Sequence, residues 1–158
     1  MRRTKIKNSL IILAIDPASE LGWALSTSTY GVWDLKTRKD ESMGMKLLRL
    51  EAKLNEMFNI TPFQVLVYER PGGQHKNPII HQSKLIGKME EWCELHGVEY
   101  KGYSSTEIKK YATGKGNAGK PMMIAAAQEK LGYKGNDDNE ADALWLLMYA
   151  HDELTTDG

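Results

Sequence analysis

Apolar residues run unbroken from Leu10 to Ile15 and again from Val65 to Tyr68. This is the pattern of strands covered on both faces of a sheet, where no alternate position meets water. Each run ends in an acid, Asp16 or Glu69, with Pro17 or Pro71 close behind. The first strand is read over residues 9–15 and the later one over 65–68. Between them, residues 22–26 and 30–35 are short and rich in aromatic and branched side chains, and Ser26, Thr27, Ser28 and Thr29 supply turn chemistry. They predict two antiparallel partners and hence a three-strand meander. Leu47, Leu50, Leu54, Met57 and Phe58 recur at helical spacing among charges, so residues 43–58 read as an amphipathic helix. Residues 79–96 read as another, with Leu85, Met89, Trp92 and either Cys93 or Leu95 on its buried side and Gly97 closing it. A short fifth strand spans 98–100. Ser105 or Thr106 then caps a brief helix through Tyr111, and 113–119 form a glycine-containing loop. Pro121 sits in the first turn of a helix whose apolar positions are Met122, Ile124, Ala125 and Leu131. The last helix runs from near Asp138 to about Leu154, its apolar stripe Ala141, Leu144, Trp145 and Met148. Strands and helices in this order predict an α/β fold: a mixed five-stranded sheet, antiparallel meander plus parallel strands, flanked by helices.

Composition narrows the class. A length of 158 residues suits one domain, 1–158, with 1–8 and 154–158 as flexible ends, and 41% hydrophobic with 27% charged residues is the balance of a soluble globular chain. The single cysteine, Cys93, has no internal disulfide partner and reads as a buried reduced thiol. The N-terminal residues are basic, but the apolar run after them stops at Asp16, too short for a signal peptide or a membrane span. A cytoplasmic protein is expected, with no membrane partner.

Formal net charge is zero, which on its own disfavours a nucleic-acid partner. The distribution changes that picture. Residues 101–120 carry Lys101, Lys109, Lys110, Lys115 and Lys120 against Glu107 alone, a net +4, whereas 134–158 carry seven acids against Lys134, a net −6. Lysines that draw in phosphate beside carboxylates that bind divalent ions are what a metal-dependent nuclease needs. A solvated charged surface is the plainer reading of the same runs.

Asp16 and Glu69 emerge at the same sheet edge if their strands are parallel neighbours. Negative charge gathered there is costly unless compensated, and hard ions such as Mg²⁺ prefer carboxylate oxygen. Each acid alone could equally cap a neighbouring turn. Asp137, Asp138, Asn139, Glu140 and Asp142 lie at a helix start, where acids interact favourably with the helix dipole. At about 100° per residue, 138 and 139 share a face with 142, while Glu140 points roughly the opposite way. The dipole accounts less well for Asp142, which falls between alanines at the edge of the apolar stripe.

With these residues in view, the chain resembles the RuvC-type Holliday junction resolvases, especially the short versions encoded by phages. The likeness spans residues 10–150. It rests on Ile15-Asp16-Pro17-Ala18-Ser19 with Gly22-Trp23-Ala24, on Val67-Tyr68-Glu69-Arg70-Pro71, on Ala141-Asp142-Ala143-Leu144, and on a basic loop from Lys109 to Lys120 with Gly114-Lys115-Gly116 inside it. The resemblance implies a ribonuclease H-like fold and a crossover junction endodeoxyribonuclease. It implies two Mg²⁺ ions per site, with Mn²⁺ as a substitute, held by Asp16, Glu69 and Asp142. Asp16 would bridge both ions, Lys109 and Lys120 would face the cleaved strand, and 5′-phosphate and 3′-hydroxyl ends would result. Branched DNA, above all a four-way junction, is the implied partner, in the cytoplasm of a bacterial or phage-infected cell. Two symmetric cuts imply a homodimer.

Two positions depart from the family pattern. Three residues before Asp142, where the family carries an acid or a histidine, this chain has Asn139, so either Asp138 or Asn139 is the fourth ligand. After Glu69, where the family places an aromatic wedge, it has Gly72 and Gly73, with His75 as a candidate substitute. Arg70, His75, Lys110 and Lys115 join Lys109 and Lys120 as candidate DNA contacts. His81, His96 and His151 show no metal-ligand spacing, and Trp23, Trp33, Trp92 and Trp145 read as core or dimer contacts. A catalytically weakened junction-binding protein is the non-enzymatic alternative. An actin-like or sugar-kinase-like ATPase shares the strand-and-aspartate opening but needs two such domains.

Overall fold

The structure is a computed structural model, and it describes residues 10–18, 20–36, 41–72 and 76–155. His75 and the expected flexible stretch 1–8 lie outside the described residues. In chain order the elements are β1 (Ile12–Pro17), β2 (Leu21–Ser26), β3 (Thr29–Trp33), α1 (Met43–Ile60), β4 (Val65–Glu69), α2 (Lys76–His96), β5 (Glu99–Tyr103), α3 (Ser105–Thr113), α4 (Lys120–Leu131) and α5 (Asp138–Thr155). The strands form one sheet in the order β3-β2-β1-β4-β5. β1–β2 and β2–β3 are antiparallel, whereas β1–β4 and β4–β5 are parallel. The meander with added parallel strands is therefore as the sequence predicts.

Side chains alternate across a strand, and the two continuous apolar runs use both faces. Ile12, Ala14, Val65 and Val67 meet the inner sides of α3, α4 and α5, including Ile108, Met123, Leu144 and Trp145. Leu13, Ile15, Leu66 and Tyr68 meet α1 and α2 through Leu50, Leu54, Leu85, Met89 and Trp92. The central strands thus lie between two helical layers. No helix among the described residues is long and apolar enough to cross a membrane.

The differences from the sequence reading have local causes. β1 continues through Asp16 and Pro17, with Pro17 opposite Leu21, because its ladder with β4 ends at Ile15 and the missing proline N–H is not needed on that side. β5 reaches Tyr103 and not 100, paired to β4 from Glu99 through Tyr103. Lys101 and Gly102 concealed it, since neither is a strand former. The cap of α3 is Ser104, not Ser105 or Thr106: its hydroxyl accepts from the Glu107 amide at 3.1 Å and the Glu107 carboxylate accepts from the Ser104 amide at 3.3 Å, a capping box. On α4 the buried positions are Met123 and Ala127, while Met122 and Ala125 face outward. The Met-Met-Ile run left the phase of this helix open, and the contact of the Trp145 indole with the Met123 carbonyl at 3.3 Å fixes it. On α2 Cys93 is buried and Leu95 is exposed. Burial pushes the Cys93 thiol up to about 12, so it stays protonated. Gly97, at φ 68°, closes α2 as expected.

Candidate active site

Asp16 and Glu69 each lie one residue beyond the last paired position, Ile15 opposite Tyr68, on adjacent parallel strands. By strand alternation Asp16 follows Ile12 and Ala14, and Glu69 follows Val65 and Val67, onto the face covered by α5. The apolar residues that anchor the strands therefore also aim both carboxylates into one space. Asp16 is the charged residue buried in the described core, 7% exposed.

Gly22 brings the third element in. It pairs with Asp16 across β1 and β2, and a Cβ there would lie 2.0 Å from the Asn139 carbonyl oxygen. Only glycine lets the first turn of α5 settle onto the sheet beside Asp16. The start of α5 is fixed independently. Asp137 caps it, its carboxylate accepting from the Glu140 amide at 3.0 Å. The Tyr133 hydroxyl accepts from the Asp137 amide at 2.9 Å and donates to the Glu140 carboxylate at 2.7 Å. Glu140 is thereby held by Tyr133, and Asp138 and Asp142 act electrostatically on Asp16.

Four carboxylates interact in this space. Burial raises Asp16 well above the usual carboxylate range, and Glu69, Asp142 and Asp138 raise it further, while Lys120 opposes them. Burial raises Asp142 to about 7, helped by Glu69 and Asp138 and opposed by Lys109 and Lys120. Glu69 is raised by burial, against a hydrogen bond from Ser105 and the charge of Lys109. Burial disfavours the charged forms of Asp16, Glu69 and Asp142, and neighbouring acids add to this at Asp16 and Asp142, the situation that a bound cation relieves. The donors are all hard oxygens, which suit Mg²⁺ or Mn²⁺. Among the described residues, no three acidic, histidine or cysteine side chains stand close enough to enclose an ion, so the acids share a region without a closed coordination shell.

Of the two candidates for a fourth ligand, Asp138 acts on both Asp16 and Asp142 and pairs with the Lys120 ammonium at 3.5 Å. Asn139 contributes its backbone to the contact with Gly22. Lys109 and Lys120 both line a cavity of about 200 Å³ with Glu69, Asp142 and Ser105. Lys110 and Lys115 are exposed and lie outside this cavity. Arg70 lines a second, larger cleft of about 510 Å³ that shares Glu69, Ser105 and Lys109 with the first. Gly22 as a contact point, the bond from Ser105 to Glu69 and the Tyr133 bracket were not read from the sequence. The Gly-Trp-Ala block contained the first, but a missing side chain shows its purpose only once the opposing helix is in place.

Comparison with solved structures places the fold. RuvC from Thermus thermophilus matches with a TM-score of 0.71 at 20% identity, over 91% of this chain and 95% of that one. T. thermophilus RuvC in complex with Holliday junction substrate matches with a TM-score of 0.72 at 20% identity, over 92% and 97%. The yeast mitochondrial Holliday junction resolvase Ydc2 matches with a TM-score of 0.57 at 12% identity, over 96% and 90%. No protein-family model matches the sequence, and no curated protein does. The chain has the ribonuclease H-like fold of RuvC: five mixed strands flanked by helices.

Proposed function

We propose that this chain is a structure-selective DNA endonuclease that resolves four-way junctions by metal-dependent hydrolysis. The observation that carries the reading is the convergence of Asp16, Glu69, Asp138 and Asp142 from two strand ends and one helix, beside Lys109 and Lys120. A RuvC in complex with a Holliday junction substrate shares the fold over 92% of this chain, which favours branched DNA as the partner.

Asp16, Glu69 and Asp142 would hold the metal, with Asp138 as the fourth ligand because a charged carboxylate already in electrostatic contact with the other acids outcompetes the Asn139 amide. When bound, Mg²⁺ would activate the attacking water and stabilise the charge that develops on the leaving 3′ oxygen. The chain's own part is positioning and charge. Lys109 and Lys120 meet the phosphate and offset the acids, so that a polyanion can approach four carboxylates. Ser105 holds Glu69, and the Gly22 contact holds α5. No protein nucleophile is required, and hydrolysis leaves 5′-phosphate and 3′-hydroxyl ends. Lys110, Lys115, Arg70 and His75 remain candidate backbone contacts. Paired cuts require a homodimer on the junction.

The test is a panel of labelled substrates, comprising a four-way junction, a fork, a flap and a linear duplex, with Mg²⁺, Mn²⁺ or EDTA. The account expects metal-dependent cutting of the junction in preference to the duplex. Tight junction binding without cutting in either metal would replace it with the junction-binding alternative.

A further inference from the structure

The larger cleft lies between Arg70, Pro71 and Gly72 after β4, Gln82 on α2 and the start of α3, and it adjoins the cavity lined by Asp142, sharing Glu69, Ser105 and Lys109 with it. Its volume of about 510 Å³ falls within the usual range of roughly 300–1,000 Å³ for small-molecule sites and suffices for one nucleotide. The lining is polar, with Arg70, Gln82, Ser105 and Thr106 among its side chains. Arg70 is anchored there: one guanidinium N–H donates to the Gly102 carbonyl at 3.1 Å, and its stem lies where a Cβ on Gly102 would stand, 2.7 Å away. A guanidinium plane fixed in this way is a surface on which an unstacked base can rest. Gln82 is half-buried on α2 and lines the cleft. Its amide presents one donor and one acceptor group, the pair needed to match a base edge.

We propose that Gln82 is a specificity-determining residue: the cleft receives the unpaired nucleotide next to the scissile phosphate, and the Gln82 amide reads the edge of its base. This rests on the nuclease reading above. A cleft that shares Glu69, Ser105 and Lys109 with the cavity beside the acids lies within reach of the strand that is cut. Bases at a junction centre are open to such insertion at a lower unpairing cost than bases within a duplex. Lys109 and Arg70 neutralise the backbone on the way in, and only the amide discriminates among bases. Gln82→Ala removes the reading group. Gln82→Glu removes the donor and leaves acceptors, which favours a base presenting an amino group, as cytosine does.

The experiment uses a four-way junction library randomised at the positions flanking the cut, with products sequenced for the parent chain, Gln82→Ala and Gln82→Glu. The same library is also selected by binding in an Asp16→Asn background with and without Gln82→Ala. The parent is expected to prefer one base at one flanking position by roughly 10-fold. Gln82→Ala should flatten that position to within about 2-fold, and Gln82→Glu should move the preference towards cytosine. A parent without base preference, or a Gln82→Ala variant with an unchanged profile, overturns the proposal. If the parent binds junctions but cuts none, the nuclease reading fails, and the binding selection decides the role of Gln82 by the same criterion.

Discussion

Asp142 shows at the scale of one residue how the site opposes the stability of its own fold. Its carboxyl is raised to about 7 in the folded chain, against an ordinary value near 4 when unfolded. The folded state then binds this proton more tightly, so the stability it contributes is full below about pH 4 and is lost as pH rises towards 7. Metal-free Asp142→Asn should therefore melt higher than the parent at pH 8, by roughly 2–8 °C, with a shallower pH dependence between 4 and 7. Thermal melts in EDTA across that range check it, and an unchanged slope would remove the charge-repulsion account. The sequence made Asp16, Glu69 and Asp142 legible because each sits where apolar periodicity ends or breaks. It did not reveal Gly22, whose importance lies in what approaches it. Gly22→Ala places a methyl 2.0 Å from the Asn139 carbonyl oxygen. Backbone must move to relieve that contact, so a loss of about 1–3 kcal/mol is expected in chemical denaturation.

The elements around the acids divide the lysines into groups with separable effects. Lys109 on α3 and Lys120 at the start of α4 face the carboxylates, whereas Lys115 lies in the connection between these helices, outside the cavity that those two lysines line. Lys109→Ala should lower cutting at saturating DNA by 10-fold or more, since charge facing the reacting phosphate is worth about 2–4 kcal/mol. Lys115→Ala should weaken binding across all sequences and reduce the salt slope by about one. Single-turnover rates and binding titrations at several salt concentrations distinguish the two, and equal effects would mean that the cavity does not define the catalytic lysines. Ser104→Ala removes the α3 cap, at a cost of about 1 kcal/mol measured by denaturation. The sequence points to Ser105 or Thr106 because Ser104, Ser105 and Thr106 all have capping chemistry, and only the reach of Glu107 selects Ser104 among them. β5 was read short for a related reason: pairing to β4, not local propensity, carries it through Lys101 and Gly102.

At the scale of the whole molecule, a zero net charge conceals a separation that the fold puts to use. Lys109 of α3, Lys120 of α4 and Asp138 and Asp142 of α5 meet Asp16 and Glu69 at one end of the sheet, where the parallel strands β1 and β4 finish. The order of strands and helices is legible from hydrophobic period together with turn and capping residues, because buried parallel strands and amphipathic helices leave distinct patterns. The cleft beside Glu69 is not, since it is a space between elements. The expectation most exposed to experiment is that Asp16 serves hydrolysis and not junction recognition. It is tested most directly by mapping the products of a labelled four-way junction incubated with Mg²⁺ and either the parent chain or Asp16→Asn. The account predicts paired cuts on opposing strands with 5′-phosphate ends for the parent, and junction binding without cutting for Asp16→Asn. Cutting by Asp16→Asn at the parental rate, or an intact junction held tightly by the parent, would contradict it.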